Sequence, residues 1–125
     1  MKTIISTPEA PAAIGPYSQA VEAGDLIFIS GQLPIDPVTG NLEAADTALQ
    51  TSAAIRNIEA ILHSRGLSLD NVVKTTVFMA DLGEFQKMNE VYGRFFSKNP
   101  PARATIEVKA LPKAALVEIE AVALK

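Results

Sequence analysis

The end of the chain, residues 101–125, contains two runs in which apolar and polar side chains alternate. The apolar members are Ala104, Ile106 and Val108 in the first run and Val117, Ile119 and Ala121 in the second. This period predicts two half-buried strands, and residues 111–113 between them predict the turn of an antiparallel hairpin. Because side-chain direction reverses at each residue, burial of both apolar sets against one core would place Arg103 and Glu118 together on the opposite face. Such a pair is either a cross-strand ion pair on a solvated face, which contributes little to stability, or part of a site.

The composition limits the classes of protein to consider. A chain of 125 residues is long enough to bury one core without disulfides, so we expect a single domain over residues 1–125. Cysteine is absent and His63 is the only histidine, which leaves only carboxylates for metal binding. A formal net charge of −3 with scattered basic residues argues against a nucleic-acid partner. The N-terminus lacks an apolar signal segment and no stretch approaches a membrane span, so a cytoplasmic location without membrane contact is predicted.

The first predicted helix runs from Thr47 to Arg65. Asp46 is placed to cap its N-terminus and Gly66 to end it. One apolar stripe supports the helix: Thr51, Ala54, Ile55, Ile58, Ile61 and Leu62. His63 lies off this stripe, so we expect it to face water rather than to act as a base.

The second predicted helix starts with Asp81 and Glu84, a spacing like that of a capping box, and continues through Phe96. Its predicted buried stripe consists of Phe85, Met88, Tyr92, Phe95 and Phe96. Asn89 lies at the edge of that stripe. A polar side chain at such an edge either bonds a neighbouring carbonyl or points into a cavity.

The other periodic segments predict a short strand at residues 2–6, a hairpin at 21–30 and a strand at 72–79, with an irregular excursion at 30–41. Each helix then bridges two strands as a parallel crossover, which gives a mixed α+β sheet with both helices on one face. The other face lacks a covering layer within the chain, and its candidate residues are Thr75, Val77 and Met79. A symmetric oligomer would cover it.

Four polar residues lie at the ends or edges of predicted elements: Tyr17, Ser30, Arg103 and Glu118. Each also has an ordinary structural explanation. Tyr17 could equally be a packed ring whose hydroxyl is hydrogen-bonded, and Ser30 could be a cap at a strand end. Arg103 and Glu118 could form an ion pair. Single positions therefore do not establish a site.

Five segments follow one another along nearly the whole chain: G-P-Y-S-Q-A (15–20), I-S-G-Q (29–32), V-K-T-T-V-F-M-A-D-L (73–82), P-A-R-A-T (101–105) and L-P-K-A-A-L-V-E-I-E-A-V-A (111–123). Together they closely resemble the reactive intermediate (enamine/imine) deaminase family, also called the YjgF/YER057c or L-PSP family. The resemblance implies a chorismate-mutase-like fold and a homotrimer with clefts at its subunit interfaces. It also implies hydrolysis of enamines and imines, such as 2-aminoacrylate, to 2-oxo acids and ammonia, without cofactor or metal.

The resemblance further implies roles for individual residues. Arg103 would bind the substrate carboxylate and Glu118 would orient the attacking water. The remaining pocket positions would be Tyr17, Ser30, Gly31, Asn89 and Thr105. Many bacterial members carry cysteine at the position of Thr105, so this chain has no thiol role there, and the family uses that position largely through its backbone.

Two other functions stay open at this point. The same Arg103 would serve a non-catalytic protein that binds small carboxylates such as 2-oxo acids for regulation. An endoribonuclease is the other, since this activity is attached to the family's name. Three features argue against a ribonuclease: the negative net charge, the lack of a basic and aromatic patch, and the exposed position expected for His63.

Overall fold

A six-stranded mixed sheet with two α-helices on one face forms the computed structural model, which describes all 125 residues. The strands are β1 (Lys2–Ile5), β2 (Ala20–Ala23), β3 (Leu26–Gln32), β4 (Val72–Met79), β5 (Ala102–Glu107) and β6 (Val117–Leu124), and the helices are α1 (Thr47–His63) and α2 (Phe85–Phe95). The predicted α+β architecture is confirmed. Neither helix has the length and apolar character that crossing a bilayer requires.

The strands are arranged in the order β1-β2-β3-β6-β4-β5. Strand β6 is antiparallel to both of its neighbours, β3 and β4, whereas β5 lies at the edge and pairs with β4 in parallel. The predicted terminal hairpin is therefore wrong, because β4 separates β5 from β6. Alternation along a strand indicates which side chains share a face, but it indicates neither which face is buried in the core nor which strand lies alongside. Both crossovers are parallel as predicted, since α1 joins β3 to β4 and α2 joins β4 to β5.

Helix α1 begins at Thr47, as predicted, and ends at His63, two residues before the predicted Arg65. The Asp46 side chain accepts a hydrogen bond from the Leu49 backbone N–H at 2.9 Å. After the last turn, Gly66 adopts a φ of 72°, and its N–H donates to the His63 carbonyl at 3.0 Å. All six residues of the predicted stripe are fully buried in the core, and His63 is exposed.

Helix α2 begins later than predicted. Asp81 accepts a hydrogen bond from the Gly83 N–H and caps a 3-10 turn, while the Glu84 side chain pairs with Lys87 instead of closing a capping box. The helix itself starts at Phe85. Its stripe is confirmed: Met88, Tyr92 and Phe96 are buried, and Phe85 and Phe95 are partly buried against the same core.

One face of the sheet is uncovered, as predicted, but its residues are not the predicted ones. Thr75, Val77 and Met79 are buried beneath the helices. The uncovered face instead carries Phe28, Thr76, Phe78, Ala104, Ile106, Glu118, Glu120 and Val122, with Phe28 46% and Ile106 44% exposed. The expectation that Ala104 and Ile106 face the core is therefore also wrong. A charge at Val77 or Met79 would disrupt the core rather than an assembly surface.

Candidate active site

Arg103 lies on β5 directly opposite Thr75 of β4, so its side chain is on the helix-covered face. Its guanidinium carbon is 4.7 Å from the centre of the Tyr92 ring and 5.6 Å from that of Phe85, both on α2. Arg103 takes part in none of the four ion pairs within the chain. A half-buried guanidinium without a carboxylate partner keeps its hydrogen-bonding edges free for an anion.

Two further polar side chains accompany this arginine. The Thr105 hydroxyl, two residues along β5, is buried and has no hydrogen-bond partner. Asn89 is four residues after Phe85 and three before Tyr92, so helical geometry places it on the same flank of α2. The side-chain amide of Asn89 makes no hydrogen bond within the chain. We call Asn89, Arg103 and Thr105 the arginine half-site.

A separate cleft of about 670 Å³ opens elsewhere in the molecule, and Tyr17, Ser30, Gly31, Glu118 and Glu120 are among its lining residues. A β-bulge shapes its floor. Ile29 of β3 faces Ala121 and Gln32 faces Ile119, so Ser30 and Gly31 together lie opposite the single residue Glu120. Bulges of this kind redirect side chains next to sites. We call Tyr17, Ser30, Gly31 and Glu118 the glutamate half-site.

Hydrogen bonds hold the wall of the glutamate half-site in place. The Ser30 hydroxyl donates to the Ser18 carbonyl at 2.6 Å, and the Tyr17 hydroxyl accepts from the Ile14 N–H at 3.3 Å. Buried Gln19 bonds the backbone of the preceding loop at Thr7, Ala10 and Pro11. Gln19 is not among the residues predicted for the site, although its place in G-P-Y-S-Q-A was a signal for a role.

Gly31 has a steric reason to be glycine. A Cβ atom at this position would lie 2.9 Å from the carboxyl carbon of Glu118 and closer still to one of its oxygens. Only glycine lets the Glu118 side chain lie against the strand in its present position. The bulge and the glycine together leave room for this carboxylate where it lies.

The environment of Glu118 alters its protonation. Burial raises the pKa of Glu118 above its ordinary value, and the neighbouring negative charge of Glu120 raises it further. Glu118 makes no ion pair within the chain. A carboxylate that is partly stripped of water and lacks a cationic partner is a better proton acceptor than one in water. The chain nowhere groups three or more His, Asp or Glu side chains as a metal site would.

The two half-sites are on opposite faces of the sheet. Arg103 is opposite Thr75, whereas Glu118 is opposite Phe78, and these two positions of β4 point in opposite directions. The prediction that Arg103 and Glu118 share a face is wrong for a single chain. All seven predicted site residues thus fall into two groups, which one chain keeps apart.

The aromatic support of Arg103 was not predicted from the sequence. Phe85 and Tyr92 were assigned to the core stripe of α2, and both do contact the core. Their second contact, with the arginine of β5, depends on β5 lying next to β4. No local pattern in the sequence signals that contact.

Comparisons with known proteins match the chain over almost its entire length. A family model described as endoribonuclease L-PSP matches residues 7–125. A RutC family protein of Pyrococcus horikoshii is 51% identical over 125 residues, which cover 100% of this chain and 99% of the relative. Human 2-iminobutanoate/2-iminopropanoate deaminase is 47% identical over 125 residues, 100% of this chain and 91% of that protein. The solved structure of E. coli TdcF with bound serine has a TM-score of 0.94 at 43% identity and covers 98% of each chain.

Proposed function

We propose that this chain, which belongs to the endoribonuclease L-PSP family, hydrolyses 2-imino acids to 2-oxo acids and ammonia. The observation that carries the proposal is the half-buried Arg103 guanidinium with no carboxylate of its own. A 2-imino acid supplies that carboxylate. The human relative named as a 2-iminobutanoate/2-iminopropanoate deaminase and the serine-bound TdcF structure support a small substrate of amino-acid type.

A complete site requires a second copy of the chain. The arginine half-site and the glutamate half-site face away from each other, so Arg103 of one subunit would meet Glu118 of another. The uncovered sheet face, with exposed Phe28 and Ile106, offers the apolar surface for that assembly. A homotrimer, closed by a threefold axis, would form three equivalent sites.

Arg103 would anchor the substrate through its carboxylate. A guanidinium presents parallel N–H donors that match the two oxygens of a carboxylate, a geometry that lysine does not reproduce. Asn89 lies beside it on α2, and Thr105 would contribute its backbone groups rather than its hydroxyl. Holding the carboxylate places the adjacent imine carbon at a defined position, which supplies much of the rate gain.

Glu118 would activate the water that attacks this carbon. As the C–O bond forms, Glu118 accepts a proton from the water, and the imine nitrogen gains a proton to give a carbinolamine. The nitrogen then takes up a second proton, the C–N bond breaks and ammonia leaves, and the hydroxyl group loses its proton as the 2-oxo acid forms. An enamine such as 2-aminoacrylate first takes a proton at its methylene carbon and loses one from its nitrogen, which gives the imine. General acid–base catalysis of this kind typically contributes about 100- to 10,000-fold.

The decisive assay couples the protein to a pyridoxal-phosphate-dependent dehydratase that releases 2-aminoacrylate. We expect the aminoacrylate absorbance to decay faster when the protein is present, with pyruvate and ammonia formed in equal amounts. Binding of 2-oxobutanoate with no change in decay would establish the non-catalytic carboxylate binder instead. Cleavage of RNA at a rate that exceeds imine hydrolysis would overturn the proposal in favour of a ribonuclease.

The pH dependence should report the environment of Glu118. Its carboxylate form is required, so kcat/KM is expected to fall as the pH drops through a pKa above the ordinary glutamate value of 4.5. Glu120→Gln removes the neighbouring negative charge, so the fall in kcat/KM should move to lower pH. Burial should still keep it above the pH expected for an ordinary glutamate. Glu59→Gln on α1 removes the same formal charge from the helical layer and serves as the control. If the pH at which kcat/KM falls is the same in Glu120→Gln as in the parent, the assignment of Glu118 as the base is contradicted.

Mixed oligomers test the shared site directly. Arg103→Ala retains Glu118, and Glu118→Gln retains Arg103, so each variant alone should be nearly inactive. In a mixed trimer, one interface of three would combine the intact Glu118 of one subunit with the intact Arg103 of the next. Random assembly from equal amounts should therefore recover roughly one quarter of the parent activity.

The control for this experiment is the same mixture prepared from separately assembled proteins without subunit exchange, which should stay inactive. Mass spectrometry would verify that mixed trimers form. Mixed trimers without recovered activity would show that Arg103 and Glu118 do not act together across an interface.

A further inference from the structure

We infer that Tyr92 is a positioning residue for carboxylate binding: its ring, assisted by Phe85, holds the Arg103 guanidinium in the orientation that receives the substrate. This inference rests on the proposed function, in which Arg103 is the anchor. It assigns a task to a residue that otherwise belongs to the core of α2.

Tyr92 is connected to Arg103 both directly, by its ring, and indirectly, through Thr75. The register of β4 and β5 sets Arg103 opposite Thr75. The Thr75 and Tyr92 hydroxyls are hydrogen-bonded at 2.7 Å in a buried environment. The Tyr92 ring then lies 4.7 Å from the guanidinium carbon of Arg103. The strand that carries Arg103 and the ring that supports it are thus fastened to the same threonine.

An aromatic support suits an anion-binding arginine better than a carboxylate would. A carboxylate within the chain would occupy the N–H donors and neutralise the charge. The face of an aromatic ring attracts the cation while leaving its N–H edges available. Arginine also has many rotamers, and holding it in advance reduces the entropy lost when the ligand binds.

The Tyr92 hydroxyl is not expected to take part in proton transfer. Burial raises the pKa of Tyr92 above its ordinary value, although its hydrogen bond with Thr75 and the nearby Arg103 act in the opposite direction. The phenol is therefore neutral at physiological pH. Its contribution should appear in the affinity for the carboxylate and not in the chemical step.

The simpler explanation is that Tyr92 only fills the core, and Phe96 provides the control for it. Phe96 packs against Tyr92 with ring centres 4.6 Å apart and is similarly buried, at 6% exposure against 5%. The guanidinium of Arg103 lies over the rings of Tyr92 and Phe85. Phe96→Leu therefore removes a comparable ring from the same core while keeping both rings that contact Arg103.

The experiment compares Tyr92→Leu, Tyr92→Phe and Phe96→Leu by calorimetric binding of 2-oxobutanoate and by separate measurement of kcat and KM. We expect Tyr92→Leu to raise Kd and KM roughly 5- to 30-fold while kcat stays within about twofold, from the usual strength of a cation–π contact. Tyr92→Phe keeps the ring and should stay within about threefold of the parent. Phe96→Leu should lower Tm to a similar extent as Tyr92→Leu and leave Kd unchanged.

Unchanged Kd in Tyr92→Leu, or an equal rise in Phe96→Leu, would overturn the inference. If Tyr92→Leu does not fold, Phe85→Leu removes the second, only partly buried ring and should raise Kd about two- to fivefold. A parent protein that binds 2-oxobutanoate without hydrolysing imines would refute the proposed function, and the Kd comparison would still decide the role of Tyr92. A parent protein that binds no carboxylate would overturn both.

Discussion

Arg103→Ala is expected to lower kcat/KM for 2-iminobutanoate by at least about 100-fold and to abolish measurable binding of 2-oxobutanoate. Two charge-assisted hydrogen bonds to the carboxylate are lost, and each is typically worth about 1.5–3 kcal/mol. The fold should survive, because Arg103 makes no ion pair and its side chain is only half-buried. Calorimetry, steady-state kinetics and thermal unfolding measure the three effects.

Two further variants serve as comparisons for Arg103→Ala. Arg103→Lys keeps the charge but loses the two parallel donors, so it should recover only part of the affinity. Thr105→Val lies two residues along the same face of β5 and removes a hydroxyl that has no partner within the chain. It should leave kcat/KM nearly unchanged if this position acts through its backbone. Parent-level binding in Arg103→Ala would remove Arg103 as the anchor and end the carboxylate proposal.

Glu118→Gln is expected to lower kcat about 100-fold while changing the Kd of 2-oxobutanoate by less than about threefold. The amide has the same shape but cannot accept the proton of the attacking water, so the chemical step loses its base. We place the effect at the low end of the usual range because water attacks an imine readily. Since Arg103 is intact, the carboxylate anchor is retained.

The same variant has a stability effect of defined sign. The raised pKa of Glu118 means that the folded protein binds its proton more tightly than the unfolded chain does. Stability therefore declines as the pH rises from the unfolded pKa through the raised folded pKa, and at neutral pH the buried charge opposes folding. Glu118→Gln removes that charge and should raise Tm at pH 7, a difference that disappears in acid.

Glu120→Gln is the matched control for the kinetic effect, since it makes the same chemical change two residues along the same strand. It should retain most of kcat at neutral pH, because its carboxylate is not the proposed base. Parent-rate turnover of 2-aminoacrylate by Glu118→Gln would reduce Glu118 to a structural residue of the cleft.

The secondary structure was largely predictable because its signals are local. Asp46 and Gly66 mark the ends of α1 through hydrogen bonds to residues within one turn, and the period of its apolar stripe follows from helical geometry. The start of α2 was missed by a few residues because Asp81 bonds Gly83 and forms a 3-10 turn. Both outcomes depend on neighbours in the sequence.

The geometry of the candidate site was not predictable from the sequence, and the membership that the resemblance implies stays a prediction. The resemblance selected Tyr17, Ser30, Gly31, Asn89, Arg103, Thr105 and Glu118, and each lies in one of two half-sites. Residue alternation then placed Arg103 and Glu118 on one face. That step assumed that the apolar residues of β5 face the core, whereas Ile106 of β5 is 44% exposed on the uncovered face.

The sequence by itself determined the helices, the strands, the parallel crossovers and the absence of any thiol, because these depend on residue type and on spacing within a segment. Only the tertiary structure decided that β4 lies between β5 and β6, that Thr75 and Val77 are buried, and that Arg103 rests on Tyr92. These features depend on pairing between distant segments, which is selected by the total burial of the sheet and not by any one strand. The apolar residues of an alternating strand can be buried either in the core of their own chain or against another subunit. Alternation alone does not distinguish these two cases.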